Sequence, residues 1–135
     1  MGIFDFLKSK PKNNSFVSKS DSEENIHRQM QMTPQTLAQL RELDVDENRE
    51  LKLEYFFYTN TLEKSEELAD EIKKLNYTVE NGVSAGDKKL FIVTGWTTKM
   101  KMTNEVVSNW TKQMCELGFK HDCEFDGWGT SADQQ

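Results

Sequence analysis

Residues 51–80 read LKLEYFFYTNTLEKSEELADEIKKLNYTVE, and the change of period inside this stretch decides the fold class. From Leu51 to Tyr58 the residues alternate. Leu51, Leu53, Tyr55 and Phe57 lie on one side, Lys52, Glu54, Phe56 and Tyr58 on the other, and the aromatics favour an extended strand. Asn60 followed by Glu63 has the spacing of a capping pair, after which Leu68, Ala69, Ile72 and Leu75 keep one helical stripe to about Asn76. The run YTVENGV (77–83) is a second, weaker strand, broken by Gly82 and by Ser84-Ala85-Gly86-Asp87.

The stretch that follows repeats the alternation of strand and helix. KLFIVTGW (89–96) is a continuous run of β-formers, suited to a central strand covered on both faces or one with an unusually apolar open face. From Thr103 the period turns helical, with Val106, Val107, Trp110, Met114 and Leu117 on one stripe and Gly118 placed to end it. The last element alternates again: Phe119, His121, Cys123 and Phe125 on one face, Lys120, Asp122, Glu124 and Asp126 on the other. Strand, helix, strand, strand, helix, strand is the ferredoxin-like order, an α/β (α+β) sandwich. Right-handed crossovers place four antiparallel strands in one sheet with both helices on one face, the first strand central and the last beside it at an edge.

A short extra helix is expected ahead of this unit, capped by Thr33, started by Pro34 and packed through Leu37, Leu40 and Leu43. Residues 1–32 show no sustained apolar period and are read as a disordered tail, which leaves 33–135 as the domain. The tail's first ten residues, MGIFDFLKSK, have the makings of a short sticky helix, although Phe6 stands where a myristoylation signal needs Ser or Thr. Charge divides in the same way. Residues 1–20 carry four lysines against Asp5, while the whole chain has a net charge of −6. An acidic domain repels phosphate backbones and favours a basic protein partner over direct nucleic-acid binding.

Catalytic chemistry has little to stand on. No Ser or Cys is paired by motif with a His and an acid, no glycine-rich phosphate loop follows a strand, and no carboxylates repeat at metal spacing. No cofactor and no metal are expected. Cys115 and Cys123 lack CxxC spacing and are read as reduced, buried thiols of a cytoplasmic protein, and no run is long enough to span a membrane. His121 reads as a structural histidine at the core margin.

The outward face of the sheet is the candidate site. Phe56 and Tyr58 are placed near Asp122, Glu124 and Asp126, a mixture of aromatic anchors and carboxylates that suits an Arg- or Lys-rich partner. Two other readings stay open: the helix at 34–43 or the C-terminal segment covers the aromatics, or Phe56, Tyr58 and Trp96 stack RNA bases weakly. Trp128 in EFDGWGT (124–130) also has two readings. Gly127 and Gly129 permit a bulge or positive-φ turn that folds Trp128 back as a lid on the core, with Asp126 and Thr130 bonding freed backbone groups, or that displays Trp128 as an interface anchor.

CEFDGWGT, the helix ending MCELGF before it, and FFYTNTLEKSEELADEIKKLNYTVE resemble the regulator of ribonuclease E activity B family, the ribonuclease E inhibitors, over about residues 35–130. The resemblance implies a ferredoxin-like sandwich and a non-catalytic bacterial regulator that binds the scaffold region of ribonuclease E and restrains its cleavage of transcripts. An arginine-rich scaffold is a fitting partner for Asp122, Glu124 and Asp126. The sequence departs from family regulators that carry a long acidic tail after the Trp motif, since SADQQ follows here. The oligomeric state has no signature in the sequence.

Overall fold

The computed structural model describes residues 15–134 of the chain, and the expectations for the first ten residues lie outside them. Three helices and six strands follow in the order α1 Lys19–Glu42, β1 Glu50–Leu51, β2 Glu54–Thr59, α2 Leu62–Lys73, β3 Glu80–Val83, β4 Phe91–Trp96, β5 Met100–Lys101, α3 Asn104–Lys120 and β6 Glu124–Gly129. Four strands form an antiparallel sheet of order β3-β4-β2-β6, so the first of them is central and the last lies at an edge. The small β1–β5 ribbon was not foreseen: it is two residues wide, too short to leave a periodic signal.

The alternation of 51–58 is borne out. Leu51, Leu53, Tyr55 and Phe57 are all fully buried. They face Val93 and Phe125 from the flanking strands, with Leu68, Ala69 and Ile72 of α2 and Val107, Trp110 and Met114 of α3 completing one core. Edge and tilted ring contacts hold its aromatic centre, Phe57 against Phe125 with centroids 5.2 Å apart and Trp110 against Phe125 at 6.0 Å.

Helix α1 corrects the reading of residues 19–32 as a tail and of Thr33 and Pro34 as a helix start. The helix begins at Lys19 with Ser18 as its cap and runs through Pro34. Its buried residues are Ser22, Asn25, Gln29, Thr33, Leu37 and Leu40, which keep helical spacing over the whole length. The first four are polar, so a search for apolar period sees only the end of the stripe. Among these side chains, the Asn25 amide donates to the Phe125 carbonyl at 2.8 Å and thereby covers the outer edge of β6.

Three further expectations shift. The cap of α2 is Thr61, whose hydroxyl accepts from Lys64 N, whereas Asn60 accepts from the Lys64 side chain. Gly118 lies inside α3 and not at its end. A Cβ there would stand 2.8 Å from the Cys123 carbonyl oxygen and 2.9 Å from the Phe57 ring, so glycine allows the helix to approach the sheet. The turn after α3 is made by Asp122, at φ 57°, with Cys123 N bonded back to Gly118 O and Asp122 N to Phe119 O. Phe119 and Lys120 therefore belong to α3, His121 and Asp122 to the turn, and the final strand starts only at Glu124.

Candidate binding face

Asp122 is bound inward. One carboxylate oxygen accepts from Phe16 N at 2.7 Å and from Lys64 Nζ at 2.6 Å, and the other accepts from Val17 N at 2.8 Å. Desolvation works against its charge, but the bonds from Lys64, Val17 and Phe16 outweigh it and hold the carboxyl below its usual value. This residue clasps the approach to α1 onto the end of α3. It does not lie on the outward face with Glu124 and Asp126, because the turn it forms precedes the strand.

Trp128 turns toward the helices. Between Phe56 and Phe57 the β2–β6 register slips by one: Phe57 pairs with Phe125 and Phe56 with Gly127, which leaves Asp126 as the bulged residue and Gly127 at φ 130°. The extra residue changes the phase of the strand, so that Phe125 and Trp128, three apart, both face the helical layer. Trp128 meets the Trp110 ring edge-on at 6.4 Å, and its Nε1–H donates to Thr33 Oγ1 at 3.0 Å. Thr111 Oγ1 donates to the Val107 carbonyl and has no second proton, so the Thr33 hydroxyl donates to Thr111 across 3.0 Å. The chain Trp128–Thr33–Thr111–Val107 ties β6, α1 and α3 together. Thr130 bonds the Lys52 carbonyl at 2.7 Å, as the turn chemistry suggests.

Among the described residues no helix packs on the other face of the sheet. The register sets three rows across it: Glu54 with Trp96, Phe56 with Thr94 and Glu80, and Tyr58 with Ile92 and Glu124. Phe56, Tyr58, Ile92 and Trp96 are half-buried. The C-terminal segment reaches Lys52 and Arg49 through Gln134 and Ala132 and leaves Phe56 and Tyr58 clear, and α1 packs on the opposite side against α3. Phe16 does reach Tyr58, where the two help to line a concavity with Glu124 and Asp126.

Charge on this face is one-sided. Among the described residues no lysine or arginine pairs with Glu54, Glu80, Glu124 or Asp126. Desolvation and the neighbouring Asp126 push the Glu124 carboxyl above its usual value, and desolvation does the same to Asp126; Arg28 offsets both only from a distance. The structure thus keeps Phe56, Tyr58, Glu124 and Asp126 of the expected set together, and separates Asp122 and Trp128 from them. Glu54, Glu80 and Ile92 were not singled out as site residues, nor Trp96 as more than a stacking surface. Period alone puts Glu54 on the face of Phe56 and Tyr58, but only strand register, which sequence period does not supply, brings Glu80, Ile92 and Trp96 into rows with them.

Other chemistry-bearing groups are occupied by structure. Cys115 and Cys123 are free and buried, and desolvation raises both thiols to about 12. His121 ends α3 with Nε2 2.6 Å from Glu71 Oε2, and Lys120 meets the other Glu71 oxygen at 3.0 Å. Together they hold the Glu71 carboxyl below its usual value. No group of three or more possible metal ligands occurs among the described residues, and none of their helices is long and apolar enough to cross a membrane.

No curated protein matches the chain. The family model for RraB, regulator of ribonuclease activity B, matches residues 30–130. That match spans the second half of α1, every strand, α2, α3 and the bulged DGWG turn, and it extends over well more than half of the sequence; the chain belongs to the regulator of ribonuclease activity B family.

Proposed function

We propose that this protein regulates a ribonuclease E-type endoribonuclease by binding rather than by catalysis, using the uncovered sheet face to hold a basic segment of the enzyme and so restrain its cleavage of RNA. The strand order β3-β4-β2-β6, with α2 and α3 between the strands, supports reading the domain as a ferredoxin-like sandwich, with one sheet face that no described helix covers. One observation carries the reading. Half-buried aromatic rings lie among carboxylates that have no cationic partner within the described residues. Aromatic anchors supply buried area and the acids select a positive partner. Stacked RNA is disfavoured on the same face, since its phosphates would run beside Glu54, Glu80 and Glu124.

The direct test is cleavage of a model transcript by a purified ribonuclease E-type enzyme with increasing amounts of this protein. Inhibition or a changed cleavage pattern, relieved by added salt and abolished in Glu124→Lys/Asp126→Lys, is the expected result. Unchanged cleavage at saturating protein and low salt would refute the proposal. Inhibition that persists in the charge-reversed variant would move the binding surface elsewhere.

A further inference from the structure

The uncovered face has two concave ends and an apolar middle, and their spacing restricts what fits. At one end Glu54, Thr78, Glu80, Thr94 and Trp96 line a concavity of about 200 Å³. Thr94 Oγ1 is buried there without a hydrogen-bond partner, a hydroxyl left unsatisfied at a cost unless something else bonds it. Nearer the other end Phe16, Tyr58, Asp87, Glu124 and Asp126 line a second concavity of about 320 Å³. The first is smaller than the roughly 300–1,000 Å³ of ligand clefts and the second only reaches its lower limit, so each has room for a single side chain. Each also combines an aromatic ring with carboxylates. That combination holds a guanidinium by stacking and by charge-assisted hydrogen bonds at once.

The ends are marked by Glu54 and Tyr58, four residues apart on β2 and therefore about 13 Å apart along the strand. Phe56 lies midway, beside Thr94 and opposite Gly127, which adds no side chain to the face. A partner segment in extended conformation has the same pitch, so its residues i, i+2 and i+4 face the sheet at matching intervals. We infer that the face binds an extended segment of pattern basic-x-apolar-x-basic, one basic side chain over Trp96 between Glu54 and Glu80, the apolar one on Phe56, the second basic one beside Tyr58 and Glu124.

This inference rests on the open face being the partner surface and adds to it the chemistry of the partner. Arginine suits both ends better than lysine, since its planar head can stack on Trp96 or Tyr58 while donating to the neighbouring acid and to Thr94. A helical segment does not match, because on a helix residues i and i+4 lie only about 6 Å apart.

The experiment uses the full chain and labelled synthetic peptides, free of any ribonuclease. Fluorescence anisotropy compares a peptide containing Arg-Ser-Leu-Ser-Arg with a permutation of the same composition, Arg-Arg-Ser-Ser-Leu, and with a version that has Lys for Arg. The spaced arginine peptide should bind at least ten-fold more tightly than the permutation. Glu54→Gln and Glu124→Gln should each weaken it several-fold, and their thermal melts should match the parent so that loss of fold is not the cause. Equal affinity for the spaced and permuted peptides would overturn the inference, as would binding indifferent to both variants. Competition by a uridine oligonucleotide, or concentration-dependent self-association that the peptide does not displace, would overturn it in favour of nucleic acid or a second copy. The two proposals fail separately: inhibition of the ribonuclease without peptide preference leaves the regulator and sinks the pattern, and peptide preference without inhibition does the reverse.

Discussion

The two faces of the sheet are built from alternate residues of the same strands, and they treat charge and aromatic surface in opposite ways. On the covered face Tyr55, Phe57, Val93 and Phe125 are sealed under α2 and α3, and the Thr33 and Thr111 hydroxyls and the Trp128 indole that reach the layer are hydrogen-bonded to one another, the Trp110 Nε1–H being the exception. One residue along each strand, Glu54, Phe56, Tyr58 and Trp96 are sheltered only in part, and among the described residues no lysine or arginine forms an ion pair with the carboxylates beside them. Asp122 and Glu124 make the contrast within two residues of each other. Asp122 receives three donors and its charge stabilises the fold, whereas Glu124 is desolvated beside Asp126 and its charge is held at a cost. A domain with freedom to compensate Asp122 but not Glu124 has its unspent electrostatics on the open side, where a partner can use them.

The contrast can be broken most severely from the covered side. Gly118→Ala forces a Cβ against the Cys123 carbonyl and the Phe57 ring, and overpacking at backbone should cost about 3 kcal/mol. At roughly 4 °C per kcal/mol for a domain of this size, the melting midpoint by circular dichroism should fall by about 12 °C. A midpoint within about 2 °C of the parent would show that α3 can move off the sheet.

Asp122→Asn should come next. It keeps a residue that tolerates the left-handed turn but loses the charge that Lys64 and the two amides share, at about 2 kcal/mol for partly exposed charge-assisted bonds. The sign of its pH dependence follows from the lowered folded pKa. The contribution is present above the ordinary aspartate value, near 3.8, and is lost as pH falls through the folded value below it. Parent and variant should therefore differ in midpoint at pH 7 and converge in strong acid; a constant difference would show that the charge is not what matters.

Trp128→Ala removes the edge contact with Trp110 and leaves Thr33 without its donor. Because the ring is only half-buried, the expected loss is about 2 kcal/mol, read as a drop of several degrees in midpoint with Phe at the same position recovering part of it. An unchanged midpoint with weakened partner binding would instead make Trp128 an interface anchor.

Substitutions on the open face should be nearly silent in stability. Glu54→Gln and Glu124→Gln are expected within about 0.5 kcal/mol of the parent, since neither carboxylate forms an ion pair among the described residues. Removing the Glu124 charge relieves its repulsion with Asp126. Binding of a basic partner should behave oppositely, weakening as pH falls through the raised Glu124 and Asp126 values, which desolvation sets higher than the ordinary value of each group. Affinity that is flat from pH 7 to the onset of acid unfolding would remove these two groups from the interface.

Much of the fold was legible from residues 51–80 because alternation and helical period are written in apolar side chains, and the sheet order and the covered rows agree with that reading. What was not legible had other causes. Residues 19–32 of α1 bury the polar Ser22, Asn25 and Gln29, and Asn25 bonds a partner a hundred residues away, the Phe125 carbonyl. The final strand looked two turns of alternation too long because Phe119, His121 and Cys123 continue its period by chance through a helix end and a left-handed turn. For the site, Phe56, Tyr58, Glu124 and Asp126 could be assigned to the outward face from period alone. Glu80 and Trp96 needed the register, and the inward roles of Asp122 and Trp128 needed the turn and the bulge.

The measurement that bears most directly on the account is the affinity of the protein for an immobilised ribonuclease E-type enzyme, compared with that of Phe56→Ala/Glu124→Lys at two salt concentrations. If the open face holds the partner, the double variant should bind at least thirty-fold more weakly at low salt while its melting midpoint stays within a few degrees of the parent, and the parent's affinity should fall as salt rises. Equal affinity of parent and variant, at either salt concentration, would contradict it.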